Sequence, residues 1–384
     1  EAAPQTLQPR PKRGLKPICS TTSASHTASR LLLVAIATLR KKDEELLKQT
    51  GRRRCWIVQT IEEVATRLKD NEAFIVANRL RPRTFDFTTM YTNLPHNEIK
   101  IRAKEALQEA FEFALTTVPR HETRSIPELR LDVSDWCWSS EVGFTVDMIM
   151  ALIEFVVDNV YICNGGYIRH QIVGLPMGTN CAPELANLYC YAIEAAHVSA
   201  AHDTATHNLT CRFIDDILTF DGDSLPPPDA YRMGYGETTA PDGSCTFLGM
   251  RISVGEDSLR LSIVNKRDTF PWPVMRYPTA LSNTPAHQPA GIFKGQLVRY
   301  SRLCIYLKEF KEAVKSLTLH MLARGHRLSP LVRAWHRYLV DFWVPNHVAT
   351  SAVEKWFRRF CLACNHSLAT GAPFPPDLGI SSLT

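Results

Sequence analysis

Two adjacent carboxylates stand inside an apolar pattern in Cys211-Arg212-Phe213-Ile214-Asp215-Asp216-Ile217-Leu218-Thr219-Phe220. Ionised carboxylates among apolar residues are costly unless a cation offsets their repulsion and desolvation. Side chains alternate along a strand, so Asp215 and Asp216 serve one site only if the chain bends between them. The segment therefore predicts a hairpin over Thr210 to Phe220 with both acids at its turn. A surface Asp-Asp turn is the alternative, and it suits polar flanks better than Phe-Ile and Ile-Leu.

A second acidic position lies in Thr84-Phe85-Asp86-Phe87-Thr88-Thr89-Met90-Tyr91-Thr92-Asn93-Leu94-Pro95. Asp86 closes an apolar strand, and Tyr91 follows five residues later. Oxygen ligands from two strands, with no His or Cys nearby, suit Mg²⁺ rather than zinc. The chemistry such a site would serve is phosphoryl transfer with two ions ~3.5–4 Å apart. A third element, Gly174-Leu175-Pro176-Met177-Gly178-Thr179-Asn180-Cys181-Ala182-Pro183, has glycines that let the backbone approach a substrate closely. Pro183 fits the first turn of a nearly uncharged helix that follows.

Composition narrows the class. A chain of 384 residues, 45% hydrophobic, can bury a large core in two or three lobes. No apolar run approaches the ~18 residues of a membrane span, Leu31 to Leu39 being the longest candidate. The first residue is Glu, as expected of a fragment or a processed product. Eleven cysteines without paired spacing read as reduced thiols of an intracellular protein. Cys361, Cys364 and His366 form the one tight cluster; without a second ligand pair they read as a helix end with buried thiols. The net charge of +5 is uneven: residues 1–54 and 291–337 each carry +8, which leaves −11 for the remainder. Two basic segments around an acidic middle suit a protein that grips a polyanion around a metal centre. Ordinary solvated helix faces give the same pattern.

Periodicity supplies a coarse map. Residues 1–16 read as an irregular basic arm, Ala28 to Leu39 and Asp43 to Lys48 as helices, and Ile57 to Lys69 as an amphipathic helix. Phe74 to Val76 and Arg83 to Phe87 read as strands, Asn97 to Leu115 as a helix, and 116–143 as a long surface insertion. An apolar helix over Phe144 to Val157 precedes a hairpin over Val160 to Ile172 that turns at Asn164-Gly165-Gly166. Residues 222–243 read as loop, Thr246 to Val254 with Ser258 to Val264 as a hairpin, and the stretch from about 290 to Trp343 as basic helices. The tail beyond Pro373 reads as disordered.

The succession Asp-x-x-x-x-Tyr, Leu-Pro-Met-Gly, Phe-Ile-Asp-Asp and Phe-Leu-Gly (Phe247 to Gly249) resembles the motif series of reverse transcriptases. It looks most like the Penelope-like element branch, which is related to telomerase catalytic subunits. Leu15-Lys16-Pro17-Ile18-Cys19-Ser20, Tyr91-Thr92-Asn93-Leu94-Pro95, Asn265-Lys266-Arg267 and Gln296-Leu297-Val298-Arg299-Tyr300 are similar to that branch too. The resemblance spans residues 12–340.

The resemblance implies an α+β right-hand polymerase, with a small antiparallel palm sheet backed by helices. Residues 1–80 are then partial fingers, 81–270 the palm with an insertion near 116–143, 285–345 a helical thumb and 346–384 a C-terminal tail. It implies an RNA-directed DNA polymerase of a retroelement, adding dNTPs to a DNA primer on an RNA template. Asp86, Asp215 and Asp216 would be the acidic triad on two Mg²⁺ ions, for which Mn²⁺ can substitute, with the Phe87 carbonyl as a further ligand. Lys16, Tyr91, Met177, Gly178 and Lys266 would line the nucleotide, with Tyr91 excluding a ribose 2′-hydroxyl. Phe247, Leu248 and Gly249 would form the primer grip, and Lys294, Arg299 and Arg302 would follow the duplex. Nuclear localisation follows from the resemblance together with Arg52-Arg53-Arg54. Phe213 departs from the Tyr common beside the double Asp, the first fingers motif falls upstream of Glu1, and no Gly-Ile-Tyr nuclease motif stands in the last 40 residues. Two rivals remain: a non-catalytic scaffold of this fold that binds RNA, which the three acids oppose, and an RNA-templated RNA polymerase, which Tyr91 opposes.

Overall fold

The computed structural model describes residues 23–120, 128–164, 166–175, 178–201, 205–221, 225–264, 270, 277–341 and 350–370. In chain order the first elements are α1 (Ala24–Thr50), α2 (Ile61–Asp70), α3 (Glu72–Ala77), β1 (Pro82–Phe87), α4 (Met90–Asn93) and α5 (His96–Thr117). There follow β2 (Glu128–Leu131), β3 (Trp136–Ser139), α6 (Val146–Asp158), β4 (Tyr161–Asn164), β5 (Tyr167–His170) and α7 (Ala182–Ala200). Next come β6 (Cys211–Phe213), β7 (Asp216–Phe220), α8 (Pro228–Tyr231), β8 (Tyr235–Glu237), β9 (Cys245–Phe247), β10 (Met250–Val254) and β11 (Leu259–Ile263). Among the described residues four helices follow: α9 (Gln288–Leu303), α10 (Leu307–Ala323), α11 (Leu328–Asp341) and α12 (Thr350–Thr370). Among the described residues no helix is long and apolar enough to cross a membrane.

The chain divides into two units, each built from three segments. The first unit draws on residues 1–57, 87–208 and 224–236. Its centre is α5, which packs against α1, α6 and α7. The contact works because α1 buries Ala28, Leu31, Leu32, Ala35, Ile36 and Leu39 at three- and four-residue spacing, an apolar stripe along one face. Ser23 caps the start of α1 by accepting the His26 N–H at 3.2 Å, and left-handed Gly51 ends it. The two helices expected here are one. Asp43 does not break it, because the carboxylate turns inward and accepts the Cys55 N–H at 2.9 Å while pairing with Arg53 at 3.3 Å. Residues 128–139, expected as surface insertion, form a packed hairpin: Leu131 is buried, and Trp136 meets the Phe111 ring edge-on and donates to Thr38 Oγ1 at 2.8 Å.

The second unit comprises residues 58–86, 209–223 and 237–384. Its sheet runs in the order β6-β7-β1, antiparallel throughout. Beside it lies the three-stranded sheet β11-β10-β9. Leu218, Phe220, Cys211, Phe247, Met250 and Leu261 share one apolar core with Val64 and Leu68 of α2. That helix starts at Ile61 rather than Ile57, because Thr60 caps it and Val58 instead donates its N–H to the Arg212 carbonyl at 2.9 Å. Phe74 to Val76 lie in α3, not a strand: Glu72 holds the Leu259 N–H at 3.2 Å and the Tyr306 hydroxyl at 2.9 Å, which fixes a helical turn there. The expected loop 222–243 contains α8 and β8, which fall mostly in the first unit; within the second, Arg83 pairs with Glu237 at 2.9 Å and the Thr238 N–H donates to the Thr84 carbonyl at 2.8 Å.

Helices α9 to α12 form the second core of this unit, around Phe293, Leu297, Phe310, Trp335, Tyr338 and Phe357. The helix α12 falls in the stretch 346–384 expected as a C-terminal tail. Its buried Val353, Phe357, Phe360, Cys361 and Cys364 recur on one face, and Phe357 stacks on Trp335 at 4.0 Å. The basic arm 1–16 and the tail beyond Pro373 lie outside the described residues.

Candidate active site

The three acids come together at the end of one antiparallel ladder in the second unit. Strand β1 pairs with β7 so that Asp86 faces Asp216 as the last rung, after Phe85–Ile217 and Thr84–Leu218. On the other side of β7, Phe213 faces Asp216. Opposed residues share a face of a sheet, so Phe213, Asp216 and Asp86 form one row. The row sits at the rim of the face that buries Cys211, Leu218 and Thr84. Asp86 is exposed, while Asp215 and Asp216 are half-buried.

Asp215 lies in the turn. Only Ile214 and Asp215 separate the paired Phe213 and Asp216, so this is a two-residue hairpin. Ile214 has φ +56, the left-handed region. Hairpin turns of this length place Gly or Asn at such a position, and a β-branched residue there costs on the order of 1–2 kcal/mol. Strain of this kind persists where the surroundings over-determine it, and it collects at functional sites. The bend frees Asp215 from the alternation that would otherwise send it to the opposite face from Asp216.

Although Asp86 is exposed, partial desolvation of its carboxyl and then the charge of Asp215 push it above the usual range. The two carboxylates therefore repel one another, as a divalent cation would relieve. Among the described residues no group of three or more His, Cys, Asp or Glu side chains is placed to hold a metal. Mg²⁺ does not demand one, since it binds through one or two carboxylates together with waters and substrate phosphates. An oxygen-only pair of mutually repelling acids fits such an ion.

A second turn in the same unit has the same character. Phe247 and Met250 are paired, and Leu248 and Gly249 between them have φ +50 and +80. Phe247 is buried in the core. Arg299 of α9 reaches this turn and donates from Nη2 to the Leu248 carbonyl at 3.5 Å. Two residues expected at the primer and one expected on the duplex thus meet at one turn. Lys294 is paired with Asp341 at 2.7 Å, and Arg302 is exposed, with its carbonyl accepting the Lys69 amine at 2.8 Å.

In the first unit, two further motifs are brought together. The Tyr91 carbonyl accepts the Leu175 N–H at 2.8 Å, and the Leu94 carbonyl accepts the Gly174 N–H at 2.8 Å. His96 Nε2 donates to the Gly174 carbonyl at 2.9 Å. Only glycine fits at 174, because a Cβ there would lie 2.4 Å from the Tyr91 carbonyl oxygen, and φ is +84. The segment Tyr91 to Leu94 is thereby fixed to the start of the Gly174–Gly178 loop. Tyr91 is half-buried and Gly178 is exposed at φ +99. Phe87, the residue after Asp86, is buried against Tyr231 at 4.9 Å.

Lys16, Met177 and Lys266 lie outside the described residues, as do Leu15 to Ser20 and Asn265 to Arg267. Cys361 and Cys364 belong to the helical core; burial pushes their thiols up to about 12 and about 11, while His366 is exposed. Sequence reasoning passed over Arg212. The signal was there: an arginine inside an apolar strand, three residues before Asp215.

The fold is similar to that of a solved telomerase. The telomerase of Candida albicans, solved with a TWJ fragment of telomeric RNA, superposes with TM-score 0.52 at 13% identity, over 82% of this chain and 51% of that one. Apo telomerase from Candida tropicalis gives 0.45 at 12% identity, over 82% and 54%. The RNA-dependent RNA polymerase of a human picobirnavirus gives 0.45 at 14%, over 82% and 55%. The chain spans about half the length of these structures. No protein-family profile matches it, and no curated protein matches it in sequence.

Proposed function

We propose that the chain is the core of a reverse transcriptase of the Penelope-like branch, extending a DNA primer with dNTPs on an RNA template. The observation that carries this reading is the Asp86–Asp216 rung with Asp215 in a strained turn beside it, on a telomerase-like fold. In this reading residues 81–270 are the palm, 1–80 belong to the fingers, and 285–345 are the thumb.

Asp86 and Asp215 supply the principal carboxylate oxygens, with Asp216 as the third acid and the Phe87 carbonyl as a further ligand. When bound, a pair of Mg²⁺ or Mn²⁺ ions lowers the pKa of the primer 3′-hydroxyl and neutralises the leaving pyrophosphate. The chain's own contribution is placement. The ladder holds Asp86 at fixed separation from β7, and the left-handed turn holds Asp215. Tyr91, anchored through its carbonyl to Leu175, selects against a ribose 2′-hydroxyl, so the product is DNA. The Phe247–Gly249 turn supports the primer strand, and exposed Arg302 suits a phosphate contact that reads no sequence.

Primer extension with Mg²⁺ tests this reading, comparing dNTPs with rNTPs for the wild type and Tyr91→Ala. The expected result is DNA synthesis by the wild type and ribonucleotide incorporation raised about tenfold or more in the variant. Duplex binding without extension would instead favour a non-catalytic RNA-binding scaffold. Extension with rNTPs as efficient as with dNTPs would favour an RNA polymerase.

A further inference from the structure

We propose that Arg212 is a positioning residue that holds the acid-bearing turn in its left-handed conformation, and so sets where Asp215 stands relative to Asp86. This rests on the polymerase reading for its consequence in catalysis, though not for the geometry.

Arg212 is fully buried, 0% exposed, in the short strand β6. A guanidinium keeps its charge in such a place and needs acceptors. Its Nη1 donates to the Ile214 carbonyl at 3.0 Å, reaching forward over the turn. Its own carbonyl accepts the Val58 N–H at 2.9 Å, so the strand that carries it is tied on its outer side. The acceptor belongs to the residue that bears the strain, Ile214 at φ +56. A charge-assisted bond to that carbonyl fixes the peptide plane between Ile214 and Asp215, which is the rotation that decides where the Asp215 carboxylate points. Released from it, Ile214 would relax toward an ordinary conformation and carry Asp215 with it. The Leu248–Gly249 turn repeats the arrangement: a non-glycine at φ +50, with its carbonyl accepting from Arg299. Arginine-to-carbonyl support thus accompanies the Ile214 turn and the Leu248 turn alike.

The experiment compares wild type, Arg212→Lys, Arg212→Met, Ile214→Gly and the Arg212→Met/Ile214→Gly double variant. Three quantities are read: kcat and dNTP KM in primer extension, Mn²⁺ affinity from the free-ion signal in electron paramagnetic resonance, and melting temperature. Arg212→Met is expected to lower kcat about tenfold or more and to weaken Mn²⁺ binding, with dNTP KM within about twofold, because a small misplacement of a reacting group acts on the chemical step. Glycine adopts the left-handed conformation unaided, so Ile214→Gly is expected to restore most of both losses in the double variant. A general structural role would lower the melting temperature without such a rescue. If Arg212→Met does not fold, Arg212→Lys with and without Ile214→Gly carries the same comparison.

Wild-type kcat and Mn²⁺ affinity in the arginine variants, or losses that Ile214→Gly leaves unchanged, would overturn the proposal. Should the wild type bind Mn²⁺ but extend no primer, the polymerase reading fails. A rescued loss of Mn²⁺ affinity would then still support the positioning role. Extension undiminished in every variant would have the opposite meaning.

Discussion

Asp86 and Asp216 are direct cross-strand partners, the last rung between β1 and β7, and the turn immediately before Asp216 presents a third carboxylate to the same end of the sheet. Like charges placed opposite one another weaken a ladder. Here they end one whose preceding rungs, Thr84–Leu218 and Phe85–Ile217, are buried and supply the stability that tolerates them.

The repulsion has a sign that can be measured. The Asp86 carboxyl is held above its ordinary 3.8, by burial first and Asp215 second. A carboxyl raised in the fold stabilises it at pH below the unfolded value and loses that contribution as pH rises through the folded one. Asp86→Asn should therefore be more stable than the wild type at pH 7 without divalent cations, by under about 1 kcal/mol because the group is exposed. The gap should vanish in acid, and Mg²⁺ should stabilise the wild type more than the variant. Urea denaturation with and without Mg²⁺ checks this; a variant less stable at pH 7 without the ion would contradict it.

Two glycines of one motif should respond differently to a methyl group. Gly174→Ala drives Cβ to 2.4 Å from the Tyr91 carbonyl oxygen and 2.9 Å from that of Thr92, at φ +84. The backbone must shift, and a loss of about 3–4 kcal/mol or failure to fold is expected. Gly178→Ala has φ +99 with nothing within 4 Å of the new methyl, so only the left-handed penalty of about 1–2 kcal/mol applies. Equal losses in chemical denaturation would show that the Tyr91 contact does not decide the matter.

A third test concerns α12. Phe357 is buried and stacks on Trp335 at 4.0 Å with an interplanar angle of 18°. Phe357→Ala should cost about 3–5 kcal/mol, as expected of an aromatic side chain in a packed core. A loss under about 0.5 kcal/mol, typical of surface positions, would mean that α12 is peripheral.

What the sequence made legible follows from how local each feature is. The strands β1 and β7 and the hairpin turn at the double Asp showed themselves through apolar runs interrupted by charge, and the Gly174 loop through its glycines. Phe74 to Val76 misled because three β-prone residues carry no period, and the helical outcome depends on Glu72 reaching Leu259 and Tyr306 far along the chain. The edge strand β8 was hidden for the same reason: Tyr-Gly-Glu has no strand pattern, and its partners Arg83 and Thr84 lie some 150 residues earlier. The helix α12 was readable, since Val353, Phe357, Phe360 and Cys364 recur at three and four; proximity to the Pro-rich end obscured it. The contact of Arg299 with the Leu248 carbonyl was not readable, because a basic residue among basic residues looks the same whether it meets solvent or a carbonyl.

Asp86, Asp215 and Asp216 are proposed here as a metal-dependent polymerase site. It is tested most directly by extension of a DNA primer annealed to RNA, with dNTPs and Mg²⁺, comparing the wild type with an Asp215→Ala, Asp216→Ala double variant. Extension by the wild type, lost in the variant while duplex binding is retained, is the expected result. Extension of equal rate by both proteins, or by neither, would contradict it.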